Sequence, residues 1–183
     1  MTPRKIWTVG HGNRSFEELL QLLESAGISC LADVRAFPAS RKHPHFSRAA
    51  LEPALRATGV DYVWLGKALG GFRKPPPKSR HAALRNDSFR GYAHHMETET
   101  FKRAAQDLIE RAARQPIALM CAERLPWQCH RNLIADYLIA QDVEVIHLIG
   151  AGAVRRHQLS DAATISAGAV TYDKATQLDL GLD

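Results

Sequence analysis

The part of the sequence that most restricts the fold is an uninterrupted apolar segment, Ile117–Cys121, which begins directly after Pro116. A run without polar residues is typical of a strand that is buried on both faces of a sheet. Apolar residues then recur at helical spacing further along the chain, at Leu133, Ile134, Tyr137 and Leu138. The sequence therefore predicts a buried strand followed by a helix, with Cys121 and Cys129 at the corner between them.

Four further short apolar segments alternate with helical patterns along the chain. The five predicted strands are Ile6–Val9, Ser29–Val34, Tyr62–Leu65, Ile117–Cys121 and Val143–Ile149. Because right-handed crossovers place helices on both faces of a parallel sheet, we expect an α/β fold: a three-layer, doubly wound, mostly parallel sheet of about five strands. Residues 1–157 are expected to form this single α/β domain. Residues 158–183 are expected to be a C-terminal extension, packed on the domain or trailing from it.

Serine and threonine residues indicate where the connecting helices begin. Ser15 and Glu18 have the spacing of a capping box at the start of an amphipathic segment. Ser47 can cap a second helix, and either Thr98 or Thr100 can cap a third. These positions predict helices between the strands, as the α/β fold requires.

The composition favours a globular protein of the cytoplasm. The chain has 183 residues, of which 45% are hydrophobic and 23% charged, and no segment approaches the length of a membrane span. Its three cysteines are an odd and small number, which argues against a disulfide-stapled secreted module and for reduced thiols. The expected location is therefore cytoplasmic, and no membrane partner is expected.

Polar residues follow three of the predicted strands at their carboxyl ends. In doubly wound sheets the working residues gather at this edge, where the strand order reverses. If the first and fourth strands are neighbours, these residues converge in one cleft. The candidate site residues of this cleft are His11, Asn13, Arg14, Asp33, Arg35, Cys121, Glu123, Cys129, His130 and Arg131.

Several short motifs give the chain a resemblance to a known family. They are Thr8–Arg14, Asp33–Pro38 with Arg41, Pro44–Phe46, Leu69–Gly71, Met120–Glu123 and Cys129–Arg131. In this combination the chain resembles the uncharacterised family grouped as domain of unknown function 488, over nearly its whole length to about Gly150. The resemblance implies an α/β domain with a polar site built from these motifs. It supplies no reaction.

The residue types of the predicted cleft suit thiol chemistry on an anionic substrate. Cys129 or Cys121 can act as the nucleophile, and His130 or His11 can carry the proton. Glu123 is a candidate acid or base. The candidate ligands of a phosphate, carboxylate or sulfur oxyanion are Asn13, Arg14, Asp33, Arg35, Arg41, His45 and Arg131. These roles predict a thiol-dependent transferase or hydrolase that acts on a small anionic or nucleotide-like compound.

The cysteines and Asp33 also have structural interpretations. Cys121 could be a core residue that closes the strand, since free cysteines are often buried. Cys129 is the preferred nucleophile, because the start of the helix and the adjacent His130 and Arg131 are expected to lower its pKa. The two thiols could instead pair in a disulfide. Asp33 could serve only to hold a neighbouring arginine.

Metal binding is another interpretation of the same residues. Nitrogen and sulfur ligands are available at His11, His43, His45, Cys121, Cys129 and His130. None of them has the Cys-x2-Cys or His-x3-His spacing that makes zinc sites readable from sequence. No metal ligands are therefore assigned and no cofactor is evident, while a divalent metal stays an alternative.

Nucleic-acid binding is the alternative from a different class of function. Residues 66–90 carry seven lysines and arginines against one acid, Asp87, and include Phe72 and Phe89. Such a segment suits contacts with a phosphate backbone and stacking on bases. No helix-turn-helix, zinc-finger, RNP or KH signature accompanies it. A nucleotide as substrate would reconcile this interpretation with an enzyme.

Overall fold

The computed structural model describes residues 4–174, whose strands form a six-stranded sheet and a separate hairpin. The strands of the large sheet are β1 (Arg4–Gly10), β2 (Cys30–Asp33), β3 (Asp61–Trp64), β4 (Ile117–Cys121), β5 (Val143–Gly150) and β6 (Ala153–Arg156). Their order is β3-β2-β4-β1-β5-β6, and every neighbouring pair is parallel except β5 with β6. The predicted doubly wound, mostly parallel α/β sheet is confirmed.

The sixth strand, β6, lies outside the predicted set of five. All four of its residues are exposed, and it forms one edge of the sheet. An exposed edge strand lacks the buried apolar run that marks the other strands, so hydrophobic periodicity does not detect it. Its Arg155 and Arg156 place charge on this edge, which opposes pairing with the edge of another chain.

Six α-helices connect the strands. They are α1 (Phe16–Ser25), α2 (Arg48–Ala57), α3 (Gly66–Leu69), α4 (Asp87–His95), α5 (Glu99–Ala112) and α6 (Arg131–Ala140), with 3₁₀ turns at Pro44–Phe46 and Pro126–Gln128. Across residues 4–174, no helix combines the length and the hydrophobicity that crossing a bilayer requires.

The predicted helix starts agree with the structure. The hydroxyl of Ser15 accepts a hydrogen bond from the backbone N–H of Glu18, and the carboxylate of Glu18 accepts one from the backbone N–H of Ser15. This reciprocal pair is the predicted capping box of α1. Thr98, rather than Thr100, caps α5 with its side chain. Ser47 precedes α2 but makes no side-chain capping bond.

Helices cover both faces of the sheet and complete the three layers. Helices α1 and α2 pack in the core on one face, and α4, α5 and α6 pack in the core on the other. Alternate residues of β4 belong to opposite cores, Ile117 and Leu119 to one and Ala118 and Met120 to the other. Because each residue of β4 faces one of the two cores, all five are buried, and no polar residue interrupts the apolar run.

Strands β1 and β4 are neighbours at the centre of the sheet, as the predicted cleft requires. From β1 the chain crosses over β4 to reach β2, and from β4 it crosses over β1 to reach β5. The helices of these two connections, α1 and α6, lie on opposite faces. The loops after β1 and β4 therefore leave in opposite directions, which is the topology that opens a crevice at the carboxyl end of a sheet.

Residues 158–174 fold back onto the helices. Strands β7 (Ala163–Ser166) and β8 (Ala169–Tyr172) pair as an antiparallel hairpin that contacts α4 and α6. Ala163, Val170 and Tyr172 are buried in the same core as α5 and α6. The division between a domain of residues 1–157 and a C-terminal extension stays a prediction, and residues 175–183 of that extension lie outside the described residues.

Gly10 sets the distance between the end of β1 and the loop after β4. A Cβ atom at Gly10 would lie 1.8 Å from the carbonyl oxygen of Glu123 and 2.8 Å from the Cα atom of Arg124. Both are backbone atoms, which cannot rotate away. The close approach places His11 beside Cys121, whose carbonyl oxygen accepts a hydrogen bond from the backbone N–H of His11 at 3.0 Å.

We expect Gly10→Ala to lower the free energy of unfolding by about 1–3 kcal/mol or more, because the added methyl group overlaps backbone atoms. Gly150→Ala is the matched control, since the nearest atom to a Cβ there lies 3.9 Å away. The control should change stability by less than about 0.5 kcal/mol. Urea unfolding measures both values, and equal stability of the two variants would contradict this account of Gly10.

Candidate functional site

A cavity of about 700 Å³ opens at the carboxyl ends of β1, β2 and β4. It lies at the reversal of the strand order, and its volume is common for small-molecule sites. Seven of the predicted site residues line it: His11, Asn13, Arg35, Cys121, Glu123, Cys129 and His130. Residues that are far apart in the sequence thus share one cavity.

Arg35 lines the cavity and is held by a buried carboxylate behind it. Asp33 accepts hydrogen bonds from Nε of Arg35 at 2.9 Å and from a terminal nitrogen at 2.5 Å. The hydroxyl of Tyr62 donates to the same carboxylate at 2.7 Å. Burial alone would lower the pKa of Arg35, but the hydrogen bonds and the charge of Asp33 outweigh it and raise the pKa. Asp33 is fully buried and orients Arg35, in line with its structural interpretation.

The imidazole ring of His11 is neutral and accepts a hydrogen bond from Arg35. Its Nδ1 lies 2.9 Å from the carbonyl oxygen of Gly12, which can only accept, so Nδ1 carries the proton. Nε2 is then an acceptor and faces a terminal nitrogen of Arg35 at 3.4 Å. The ring stacks on Phe46 with centroids 4.4 Å apart. Burial lowers the pKa of His11 to about 4, so the ring stays neutral at pH 7.

Cys121, Cys129 and His130, which we call the cysteine cluster, are buried against the cavity. Their two sulfurs and one ring nitrogen all lie within 4.8 Å of one another. Nε2 of His130 lies 3.2 Å from the carbonyl oxygen of Val34 and therefore donates to it. This leaves the lone pair of Nδ1 directed at the sulfur of Cys121, 3.9 Å away. His130 can thus accept the thiol proton of Cys121.

The two thiols of the cluster shift each other's pKa in opposite directions. A hydrogen bond from Cys129 lowers the pKa of Cys121 to about 7 against the opposing effect of burial, and the charge of Arg131 acts in the same direction. The contact with Cys121, together with burial, raises the pKa of Cys129 well above its usual value. The expectation that the helix start lowers the pKa of Cys129 is therefore wrong. The backbone N–H of Arg131, at the start of α6, donates to the sulfur of Cys129 at 3.4 Å, but the contact with Cys121 and burial have the larger effect on the pKa of Cys129.

Arg131 is fully buried and approaches the thiols from behind the cavity. Its Nε lies 3.3 Å from the sulfur of Cys129, and one terminal nitrogen donates to the carbonyl oxygen of Glu123 at 2.5 Å. The other terminal nitrogen donates to the hydroxyl of Thr8 at 3.2 Å. The structure therefore places Arg131, a predicted substrate ligand, against the cysteine cluster rather than in the cavity lining.

A buried hydrogen-bond network extends from Arg131 to a carboxylate on the same helix. The hydroxyl of Thr8 lies 2.7 Å from Nδ1 of His147, and Nε2 of His147 lies 2.9 Å from Nδ1 of His157. Nε2 of His157 lies 2.8 Å from Asp136. Because a carboxylate only accepts, Nε2 of His157 donates to Asp136. The network thus connects the buried guanidinium of Arg131 to the buried carboxylate of Asp136 through Thr8 and two histidines.

The C-terminal hairpin completes the shell around Asp136. The hydroxyl groups of Ser160 and Tyr172 donate to one oxygen of Asp136 at 2.6 and 2.9 Å. The backbone N–H of Ser160 donates to the other oxygen at 3.0 Å. No sequence motif marks Asp136, Ser160 and Tyr172, because they lie far apart in the sequence. They are recognisable only once the helix, the sheet and the hairpin are packed together.

Three predicted substrate ligands lie away from the cavity. Arg14 donates to the backbone carbonyl oxygens of Gly10 and Ile149, and it lines a second cavity of about 630 Å³. His45 donates from Nε2 to the carbonyl oxygen of Arg14 at 3.0 Å. Arg41 is exposed and lies outside the lining of the first cavity. The structure does not bring these three side chains to the cysteine cluster.

Aromatic residues of the cavity are absent from the residues predicted for the thiol site, although the nucleic-acid alternative predicts that Phe72 and Phe89 stack on bases, and both line the cavity. Phe37 and Phe72 line the cavity, as does Tyr92, whose ring centroid lies 5.0 Å from that of His130. A Cβ atom on Gly71 would lie 3.1 Å from Nδ1 of His130, which is closer than most Cβ contacts, so a side chain here would require the imidazole ring or the loop to shift slightly. The paired glycines before Phe72 are the sequence signal that could have indicated this contact.

Two groups of side chains within residues 4–174 could hold a metal ion. One is the cysteine cluster, in which His130 donates its other N–H to a backbone carbonyl, as metal-binding histidines commonly do. The other consists of His81, His94 and Glu97. There Nδ1 of His81 accepts the backbone N–H of Tyr172 at 3.2 Å, so the proton resides on Nε2 and is donated to Glu97 at 2.7 Å. That proton occupies the position of a metal, which makes the cysteine cluster the better candidate.

Residues 66–90 contain α3 and the start of α4 rather than one continuous loop. Three of the cations in this range bind within the chain: Arg73 donates to the carbonyl oxygens of Lys67 and Gly70, Arg80 to Glu97, and Arg90 to the carbonyl oxygen of Leu84. The other four cations have exposed side chains: Lys67, Lys74, Lys78 and Arg85. Binding of nucleic acid by this segment stays a prediction.

The burial of His147 leads us to expect a loss of stability at acidic pH. Burial, assisted by the nearby His157, lowers the pKa of His147 to about 3, whereas in the unfolded chain it is about 6.5. The unfolded chain therefore binds the proton first as the pH falls. The free energy of unfolding should decrease below about pH 6.5 by roughly 1.4 kcal/mol per pH unit, and above that pH this group should have no effect.

The variant His147→Gln tests this expectation, because its amide does not titrate. Urea unfolding at about pH 7.5, 6 and 5 should give a shallower pH dependence for the variant than for the natural protein. Equal slopes in the two proteins would show that His147 is not the group responsible.

A family model described as a domain of unknown function, DUF488, matches residues 15–138. The matched segment covers about two-thirds of the chain and contains Arg35 and the whole cysteine cluster, while His11 precedes it. Searches of curated proteins and of solved structures found no match. The resemblance seen in the sequence motifs is confirmed, and the chain belongs to the DUF488 family.

Proposed function

We propose that this protein is an enzyme that uses the thiolate of Cys121 on a small anionic substrate bound in the cavity. The observation that carries the proposal is the contact between the sulfur of Cys121 and Nδ1 of His130, 3.9 Å apart, among residues that line the cavity. A thiol becomes a nucleophile when a neighbouring group accepts its proton. The lone pair of neutral His130 is such a group.

Arg35 is the residue that we propose as the anion ligand. Its guanidinium has five N–H groups. Two of them serve Asp33 and one serves His11, which leaves one N–H on each terminal nitrogen. A pair of this kind suits two oxygens of a phosphate, a carboxylate or a sulfur oxyanion. Arg14 and Arg131 are less suited, because their N–H groups are directed at the protein itself.

The proposed reaction has two steps that conserve the proton. In the first, the sulfur of Cys121 forms a bond to the electrophilic atom of the substrate, and the bond to the leaving group breaks. The leaving group takes the proton that His130 removed from the thiol. In the second, water in a hydrolase, or another acceptor in a transferase, breaks the bond to sulfur, and its proton returns through His130 to Cys121. Glu123, which lines the same cavity, is the alternative acid or base.

Alkylation by iodoacetamide tests the assignment of the nucleophile. We expect Cys121 to be labelled with a rate that rises through a midpoint near pH 7, below the value of about 8.5 for a free thiol. Cys121→Ser should abolish this labelling. Cys30→Ser is the matched control, because burial raises the pKa of Cys30 to about 11 and keeps that thiol protonated. Mass spectrometry locates and times the modification.

The variant Cys129→Ala tests the effect of Cys129 on the pKa of Cys121. It removes the hydrogen-bond donor to Cys121, so the midpoint of labelling at Cys121 should move to higher pH. Preferential labelling of Cys129 in the natural protein would contradict the assignment of Cys121 as the nucleophile.

Binding of a divalent metal by the cysteine cluster is the second candidate function. It is favoured by the three donor atoms within 4.8 Å and by the orientation of His130, whose Nδ1 faces the sulfurs. Two cysteines and one histidine form the ligand set of a zinc site that keeps a fourth position for a substrate or water. The two candidate functions exclude each other at Cys121, because a thiolate bound to zinc is not free to react.

Elemental analysis of the purified protein decides between the two candidates. Under the metal hypothesis we expect about one zinc ion per chain. Cys121→Ser and Cys129→Ser should each lose the metal, Cys30→Ser should keep it, and Cys121 should resist alkylation until a chelator is added. Protein without bound metal, whose Cys121 is alkylated without a chelator, would exclude the metal function and support the thiol enzyme.

A further inference from the structure

Two phenylalanines, Phe37 and Phe72, are exposed at the edge of the cavity, and we call them the aromatic pair. Phe37 is 74% exposed and Phe72 is 82% exposed, and both line the cavity. Their ring centroids lie 6.2 Å apart, and the rings are inclined by 45°. Neighbouring apolar rings left in water beside a cavity are typical of a surface that binds a ligand.

Close packing of the backbone holds the aromatic pair together. A Cβ atom on Gly70 would lie 2.7 Å from the Cα atom of Ala36, so the loop before Phe72 is pressed against the loop before Phe37. Arg73 donates from Nε to the carbonyl oxygen of Gly70 at 3.2 Å. Phe72 has a φ of 64°, in the left-handed region that residues with a side chain rarely adopt. Backbone packing, rather than burial of the rings, therefore holds the two loops that carry Phe37 and Phe72 next to each other.

The same cavity also has a cationic part. Arg35 has two N–H groups that donate to no acceptor among residues 4–174, and Lys42 also belongs to the lining. Glu123 is the one carboxylate among the described residues that line the cavity. A ligand that binds both the aromatic pair and the cationic part has a planar aromatic ring at one end and an anionic group at the other.

We propose that the cavity binds a nucleotide, with its base stacked on the aromatic pair and its phosphate bound by Arg35. This inference rests on the proposed function, because it places the phosphate beside Cys121. Every base presents a flat face on which an aromatic side chain can stack, and a phosphate accepts a pair of guanidinium N–H groups. The cavity volume of about 700 Å³ is within the range of sites for compounds of this size. An aliphatic anion would leave both exposed rings without a partner.

Calorimetric titration of the full chain tests the inference. The probes are AMP, GMP, CMP and UMP, compared with ribose 5-phosphate, which has the sugar and the phosphate but no base. At least one nucleotide should bind about tenfold more tightly than ribose 5-phosphate, the contribution expected from stacking one base. Phe37→Ala and Phe72→Ala should each reduce this difference. Val154→Ala, at an exposed apolar residue of β6, is the control and should keep it.

Two results would overturn the inference. In the first, none of the four nucleotides binds more tightly than ribose 5-phosphate. In the second, the preference for a nucleotide over ribose 5-phosphate survives both phenylalanine substitutions. Calorimetry does not depend on a reactive thiol, and Cys121→Ser can be titrated in the same way. Alkylation of Cys121 without a nucleotide preference would therefore remove only this inference. A nucleotide preference without reactive Cys121 would remove the thiol mechanism and leave the binding site.

Discussion

A buried positive charge, that of Arg131, constrains the centre of this protein. Among residues 4–174, no carboxylate forms a salt bridge with it, and a buried ion without partners is strongly destabilising. A backbone carbonyl, the hydroxyl of Thr8 and the sulfur of Cys129 accept its N–H groups instead. By surrounding the guanidinium, these groups fix β1, the loop after β4 and the two thiols relative to one another. The position of Cys129 and that of the loop that borders the cavity therefore depend on the same buried guanidinium.

The sheet could be predicted where strands are buried, and it could not be predicted where they are exposed. The segment Ile117–Cys121 is apolar because it faces a core on each side, and its bounds in the structure are those predicted. Strand β6 and the hairpin of β7 and β8 are only four residues per strand and partly or wholly exposed. The position of β6 depends on pairing with β5, and that of the hairpin depends on packing against α4 and α6. Such contacts leave little trace in local periodicity.

For the site, the sheet topology predicts which residues lie near one another, but it does not predict the directions of their side chains. Parallel strands deliver their carboxyl ends to one edge, so His11, Arg35 and Cys121 could be expected together. Arg14 and Arg131 occupy comparable places in the sequence, yet their guanidinium groups turn to groups of the protein, because sequence spacing does not specify the rotamer. Residues on loops, such as Phe72, have no periodicity from which their position could be inferred.

Thr8 and His147 are directly opposite each other on the paired strands β1 and β5, and their side chains are hydrogen-bonded. A shift of the two strands by one residue would turn His147 to the other face of the sheet. A shift by two residues would return the apolar side chains to the correct faces, so hydrophobic burial alone does not exclude it. It would still separate Thr8 from His147 and break the hydrogen-bond network that connects Arg131 to Asp136. The buried polar network thus specifies one register of β1 and β5. The apolar core alone would not distinguish this register from one shifted by two residues.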